Sequence, residues 1–358
     1  MDFVKLASIC NLKQWSTIAK TDLSDSGYPV WGANGIIGYS NKYNHTERTI
    51  MICCRGATCG SINISDGKCY INGNAMCLDN LSKEFNLDFI AYYLKNYDFK
   101  KTITGVAQPQ ITKVSLDIVE VPKLPIERQQ EIAQNLKKLE LCLTKTRIKL
   151  KKYDDLVKSQ FIEMFGNVFT QKAVHTLGDY ISDKTDKVKK DYLHENIKYV
   201  DISSIDNTQN EITSYTTYKT QDRPSRAQQI VEDGDIVIST VRPNLNNVAM
   251  IKDDFENIVA STGFCVLKKN TQVNEYFIFT LVKDSRFADY LSKLTTGASY
   301  PAVSNKSVLN FKIDMPPIEL QNKFAEIVKH IDKLKFTLKE EIKKLQECYN
   351  SLMKEYFE

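Results

Sequence analysis

The chain has 358 residues, 42% of them apolar and 26% charged, the make-up of an ordinary globular protein with two or three domains. A formal net charge of only +4 excludes a whole-chain basic tract for nonspecific nucleic-acid binding, so any such surface must be local. The opening residues, MDFVKLASICNLKQW, lack the basic-then-apolar order of a signal peptide, and no stretch approaches the roughly 18 apolar residues of a membrane span. A cytoplasmic protein with no membrane partner is expected.

In chain order, the first region consists of short β-rich runs, such as residues 49–53 (TIMIC), broken by Gly, Asn and Asp turns. Five of the nine cysteines cluster within it: Cys53, Cys54, Cys59, Cys69 and Cys77. No CxxC pair occurs, and none of the four histidines lies between Cys53 and Cys77, so the spacing argues for reduced, partly buried thiols rather than a metal site. Disulfides are not expected in a reducing compartment. A short amphipathic helix is predicted over residues 87–96. A long helix then follows over 125–166, with Ile132, Leu136, Leu139, Leu143, Thr146, Leu150, Tyr153 and Val157 alternating by four and three.

The second half takes the same course. Residues 167–316 hold β-rich runs such as 235–239 (DIVIS), followed by an amphipathic helix predicted over 274–291. Residues 317–358 form the second long helix, with Phe324, Val328, Ile331, Leu338, Ile342, Leu345, Tyr349 and Leu352 on its stripe and Lys335 interrupting it beside Leu334. Pro125 and Pro317 stand at the helix starts, where a missing N–H costs nothing, and Gly166 follows the first helix as a stop. About 40 residues at 1.5 Å each make a helix of about 60 Å. Two matching stripes in one chain point to an antiparallel coiled-coil pair, rather than to packing in one compact core.

The halves are copies. TGVAQPQITKVSLDIVEVPKLPIERQQEIAQ from Thr104 aligns without a gap to TGASYPAVSNKSVLNFKIDMPPIELQNKFAE from Thr296, pairing Gly105 with Gly297, Pro109 with Pro301, Gln129 with Gln321 and Ala133 with Ala325, all 192 apart. Upstream the offset falls to 188, pairing Asn86, Phe89, Ile90 and Lys95 with Asn274, Phe277, Ile278 and Lys283, and Cys77 with Cys265. A weaker match pairs Leu6 with Leu177 at 171. A changing offset on a repeated frame is the mark of variable domains on a fixed framework.

Chemistry-bearing motifs are missing from the sequence. Met315-Pro316-Pro317-Ile318 lacks the polar first residue and aromatic last residue of a DNA amino-methyltransferase motif. Gly32, Gly35 and Gly38 are spaced by three and do not make a dinucleotide loop, and no GxxxxGK[ST] segment occurs. His45, His175, His194 and His330 form no visible dyad with a nucleophile. No catalytic residue and no cofactor of the chain's own is expected.

Several segments together resemble the specificity subunits of type I restriction–modification systems. They are residues 28–39 (YPVWGANGIIGY), 55–60 (RGATCG), 199–203 (YVDIS), 224–227 (PSRA), 233–237 (DGDIV) and 260–264 (ASTGF), with the two Pro-Ile-Glu-x-Gln helix starts. The resemblance implies an α+β fold with two β-rich target-recognition domains, 1–124 and 167–316, joined by an antiparallel two-helix coiled coil made of 125–166 and 317–358. It implies double-stranded DNA as ligand, each domain reading half of a bipartite site. Two methyltransferase subunits, which bring S-adenosylmethionine, and ATP-dependent restriction subunits are the further partners implied. A coiled-coil scaffold with protein-binding domains is one alternative; a fragment of a fused enzyme with methylation and specificity in one chain is another, but it needs a methylase motif that these 358 residues lack. Co-purification with a sequence-dependent methyltransferase separates the specificity subunit from the scaffold.

The segment charges are +2 for 1–124, +3 for 125–166, −1 for 167–316 and 0 for 317–358, so DNA contact must rest on local loop residues. The candidates in the first domain are Tyr28, Asn34, Arg55, Gln108, Gln110 and Lys113. In the second they are Arg223, Ser225, Arg226, Arg242, Asn244, Tyr300, Asn305 and Lys306. Arginine forks onto guanine, and Asn or Gln onto adenine.

Overall fold

The computed structural model describes residues 2–105, 109–166, 168–169, 173–189, 192–252, 257–295 and 301–358. The fold is α+β and divides into two units, one made of residues 1–147 and 340–358, the other of 148–339.

In the first unit, β1 (Asp2–Lys5), α1 (Leu6–Ile9), β2 (Asn11–Gln14), β3 (Tyr28–Gly32), β4 (Gly35–Ser40), β5 (Ile50–Cys53), β6 (Ile62–Ile64), β7 (Tyr70–Ile71) and β8 (Ala75–Asp79) precede α2 (Leu87–Asn96), β9 (Glu120–Lys123) and α3 (Ile126–Phe165). A four-stranded sheet has the order β2-β8-β5-β6, a three-stranded sheet β4-β3-β7, and β1 pairs with β9. β5 is buried on both faces. Ile50 and Ile52 pack with Met76 and Leu78 against Phe89 and Ile90 of α2 and Ile132 and Leu136 of α3. Met51 points the other way, into a smaller core with Cys69, Ile71, Ala75 and Cys77 flanked by Trp15 and Trp31. Asn86 caps α2, its side chain accepting from the Phe89 N–H.

The second unit contains β10 (Asn196–Val200), β11 (Ile205–Asp206), β12 (Glu211–Ile212), β13 (Thr216–Lys219), β14 (Ala227–Ile230), β15 (Ile236–Ser239), β16 (Val248–Met250), β17 (Ile258–Ser261) and β18 (Phe264–Leu267), then α4 (Glu275–Val282), α5 (Ser285–Lys293), α6 (Asn305–Leu309) and α7 (Ile318–Phe357). Its sheets run β13-β10-β17-β14, β16-β15-β18 and β11-β12. The helix predicted over 274–291 is two helices. Asp284 adopts an extended conformation and its carboxylate accepts from the Arg286 N–H, so it ends one helix and caps the next.

Each unit contains an antiparallel pair of segments from α3 and α7. In the first, Glu140 accepts from the Tyr349 hydroxyl (3.4 Å) and Arg147 donates to Gln346 (3.2 Å), higher numbers on one helix meeting lower numbers on the other. In the second, Asp154 meets Lys335 at 2.6 Å, while Phe161 and Phe165 pack edge-on to Phe324. Lys335, the break in the apolar stripe, is therefore satisfied by a carboxylate on the facing helix.

The copies share individual hydrogen bonds. The Leu6 N–H donates to the Val119 carbonyl and the Leu177 N–H to that of Phe311, both at 2.8 Å, so the weak Leu6–Leu177 match is structural. Gln129 and Gln321 are both fully buried. Gln129 accepts from the Asn86 N–H and donates to the Glu84 and Leu124 carbonyls; Gln321 accepts from the Asn274 N–H and donates to that of Pro316. The recurring glutamine of Pro-Ile-Glu-x-Gln thus ties each long helix to the start of a short one.

The Cys77–Cys265 match is out by one residue. Cys77 lies opposite Met51 and faces the smaller core, whereas Cys265 lies opposite Ile238 and faces the helix-packed core. With β5 aligned to β15, Val266, opposite Val237, holds the place of Cys77. A one-residue shift in a strand reverses the face, so the pairing and not the shared cysteine decides the alignment.

Candidate nucleic-acid interface

In the first unit the loop leaving β5 gathers three of the candidates. The Ile111 N–H donates to the Cys54 carbonyl (2.9 Å) and the Gly56 N–H to that of Pro109 (3.4 Å), so Arg55 bridges Gln110 across a short antiparallel contact. Thr58, on the same loop, donates to the Asn34 side-chain oxygen at 2.6 Å. Asn34 sits in the turn between β3 and β4, and Asn34, Arg55 and Gln110 are all exposed. Arg55, Asn34 and Gln110 together offer a guanidinium and two amides, the groups that read purine edges. Sequence reasoning missed Thr58; its only signal is its place inside the RGATCG segment.

Tyr28 lies apart from this group, at the far end of β3, roughly 13 Å away at about 3.3 Å per residue. Its ring meets Tyr43 edge-on, and the Lys68 ammonium stands 4.7 Å and 4.0 Å from the two ring centroids. A hydrogen bond to Tyr28, with further help from Tyr43, raises the Lys68 pKa above its ordinary value. Lys113 is exposed beside a short 3₁₀ turn, and Gln108 lies outside the described residues.

In the second unit the main chain laces four loops together. The Thr262 N–H donates to the Arg226 carbonyl, Thr240 N–H to Gly263, Val303 N–H to Thr240, and Arg242 N–H to Pro301, at 2.8–3.0 Å. Ser225, Arg226, Arg242 and Asn244 are exposed on these loops. Arg242 has a left-handed backbone (φ 51°), as does Asn246 (φ 53°), and the turn between them is anchored by the Asn246 side chain donating to the Lys283 carbonyl. Lys306 is exposed on α6, and Tyr300 lies outside the described residues.

Two candidates are engaged in the framework instead. The Arg223 guanidinium donates to the carbonyls of Ala227, Thr220 and Val188, fastening three segments. Half-buried Asn305 donates to Asp183 at 2.9 Å.

The two loop groups are equivalent by hydrogen bonding. Cys54 corresponds to Thr240, Gly56 to Arg242, Pro109 to Pro301 and Ile111 to Val303, and the Arg55–Gln110 bridge recurs as Val241–Ala302. The buried thiols carry no visible reactivity: burial pushes Cys54 and Cys265 up to about 12.

A family model described as the type I restriction modification DNA specificity domain matches residues 1–152 and again 167–347. The specificity subunit of the type I restriction enzyme MjaVIII from Methanocaldococcus jannaschii is 24% identical over 330 residues, spanning 86% of this chain and 77% of that protein. The type I restriction enzyme HindI specificity subunit of Haemophilus influenzae is 28% identical over 141 residues, covering 38% of this chain and 30% of that one. A type I restriction–modification S subunit from M. genitalium shares the fold with a TM-score of 0.68 at 20% identity, covering 100% of this chain and 96% of that one. With both copies of its repeat matched, the chain belongs to the type I restriction modification DNA specificity domain family.

Proposed function

We propose that this chain is the non-catalytic specificity subunit of a type I restriction–modification complex, each unit reading one half of a bipartite DNA site. The observation that carries this reading is the doubled family match, 1–152 and 167–347, combined with equivalent exposed loops in both copies. Arg55, Asn34 and Gln110 supply the base-reading groups of one half-site; Arg226, Arg242 and Asn244 supply those of the other. Lys113 and Lys306 are suited to phosphates, which position without specifying. The partners are two methyltransferase subunits that bring S-adenosylmethionine, with ATP-dependent restriction subunits where the complex also cleaves, and the setting is the cytoplasm.

The test is methylation mapping of DNA modified by the chain co-expressed with its methyltransferase. Replacing residues 1–124 by the corresponding segment of a relative should change one half of the modified sequence and leave the other intact. A simultaneous change in both halves would overturn the modular reading. The purified chain alone, given DNA and S-adenosylmethionine, should transfer no methyl groups.

A further inference from the structure

The cysteine-rich segment contains a group of residues that DNA reading leaves unexplained. His45 Nε2, Asp79 Oδ1 and Cys77 Sγ lie within 4.8 Å of one another in the smaller core of the first unit. His45 is 9% exposed and Cys77 fully buried. No CxxC pair occurs in this segment and no histidine lies between Cys53 and Cys77, the spacing that speaks against a metal. His45 instead arrives from upstream, because its main chain pairs with that of Cys69.

The hydrogen bonds around His45 fix its tautomer. The Asn44 side chain donates to the Ile71 carbonyl (2.9 Å) and accepts from the Ile71 N–H (2.8 Å), so its oxygen and nitrogen are assigned by the main chain. That oxygen lies 2.7 Å from His45 Nδ1, which must therefore carry the proton. Nε2 is thus the ring nitrogen left to face the Asp79 carboxylate oxygen, at 3.0 Å, a contact bridged by a proton on Nε2 or by a cation bound between the two. The surroundings match a metal centre. A ligating histidine usually donates its other N–H to a carbonyl-type oxygen, and a ligating carboxylate is itself held by a hydrogen bond. Here Trp15 Nε1 donates to Asp79 Oδ2 at 3.1 Å.

We propose that His45, Cys77 and Asp79 bind a divalent cation of the zinc class in a tetrahedral site. Zinc bonds of about 2.0–2.3 Å place nitrogen and oxygen donors roughly 3.3 Å apart, close to the His45–Asp79 separation. Bringing the sulfur onto the same centre takes a shift of about 1 Å. Binding converts the Cys77 thiol to a thiolate and releases its proton to solvent. Burial, followed by the charge of Asp79, holds that thiol protonated in the absence of a cation. The fourth position falls to water, as in a site with three protein ligands. The second copy has Val266 in place of Cys77, so the site belongs to one unit only. This inference is independent of the proposed function.

The test is zinc content and cobalt spectroscopy on the full chain. One equivalent of zinc should remain after dialysis, and cobalt substitution should give a thiolate-to-cobalt charge-transfer band with tetrahedral visible bands. Cys77→Val, the residue that the second copy carries at this position, should fold and lose the band. His45→Gln should weaken binding at least tenfold. Absence of bound zinc and of any cobalt band in the folded wild-type chain would overturn the proposal and leave a protonated histidine–carboxylate pair. A band unchanged in folded Cys77→Val would overturn this ligand set as well.

Discussion

Beyond β5 in one copy and β15 in the other, the same three main-chain hydrogen bonds form: Cys54 N–H to Asn74, Ile111 N–H to Cys54 and Gly56 N–H to Pro109 in the first, and Thr240 N–H to Gly263, Val303 N–H to Thr240 and Arg242 N–H to Pro301 in the second. Apart from the shared proline, Pro109 and Pro301, the side chains they present differ. Where one copy has Gly56 at a left-handed position (φ 85°), the other has Arg242 (φ 51°), and where one exposes Arg55 the other turns a valine. A loop held by backbone groups tolerates almost any side chain, so the framework is preserved while the reading surface varies. The buried glutamines belong to the framework, the loop arginines to the surface.

The largest expected effect comes from breaking the framework. Gln129→Leu strands the Asn86 N–H and the Glu84 and Leu124 carbonyls in a buried site and should cost roughly 3 kcal/mol or more. Gln321→Leu strands the Asn274 N–H and the Pro316 carbonyl and should cost less, roughly 2–3 kcal/mol. Denaturant unfolding with hydrogen exchange resolved by unit measures both. Equal, negligible losses would show that the glutamines are not the ties inferred here.

The surface should respond differently. Arg55→Ala should weaken recognition of one half-site, and Arg226→Ala or Arg242→Ala that of the other, by roughly 1–3 kcal/mol per lost bidentate base contact. Binding of the assembled methyltransferase complex to DNA mutated in one half at a time reads this out. A uniform loss across all sequences would assign the arginine to phosphate instead.

Gly56→Ala sharpens the comparison at one position. A Cβ there meets nothing within 4 Å, so the change is sterically open, and only the positive φ opposes it. The expected loss is about 1 kcal/mol in thermal or denaturant unfolding. A loss several times larger would mean that the loop cannot accept a side chain where the second copy carries Arg242.

The repeat, with its Asn86–Asn274 match, and the two long helices were legible because each depends on residues close in sequence or on a fixed offset. What escaped depends on partners brought together by folding. Arg223, before a proline in a loop, looks like a free guanidinium, yet one of its three carbonyl partners is Val188, 35 residues upstream. The helix break at Asp284 lies within an amphipathic pattern, and only the extended backbone there turns the carboxylate into a cap. The shared cysteines suggested one strand register and the buried faces imposed another. His45, Cys77 and Asp79 meet because the His45 segment pairs with Cys69 and β8 runs beside β5, neither of which any ligand spacing reports.

The smallest difference between the copies is electrostatic. In the first, Arg48 holds Asp88, in the first turn of α2, with bonds of 2.6 Å and 3.3 Å. The equivalent positions in the second are Gly234 and Tyr276. The hydrogen bond from Arg48 lowers the Asp88 pKa below the ordinary carboxylate value of 3.8, against the opposing effect of partial burial. A depressed carboxylate adds stability that is fully present above its unfolded pKa and is lost as the pH falls through the folded one. Both partners reach solvent, so the contribution should stay below about 1 kcal/mol. The stability gap between wild type and Arg48→Met should thus be constant from neutral pH down to about 5 and close progressively below about 4. Denaturant titrations across that range measure the gap. A gap that persisted unchanged at the acid end would mean that Arg48 acts through the packing of its aliphatic stem rather than through its charge.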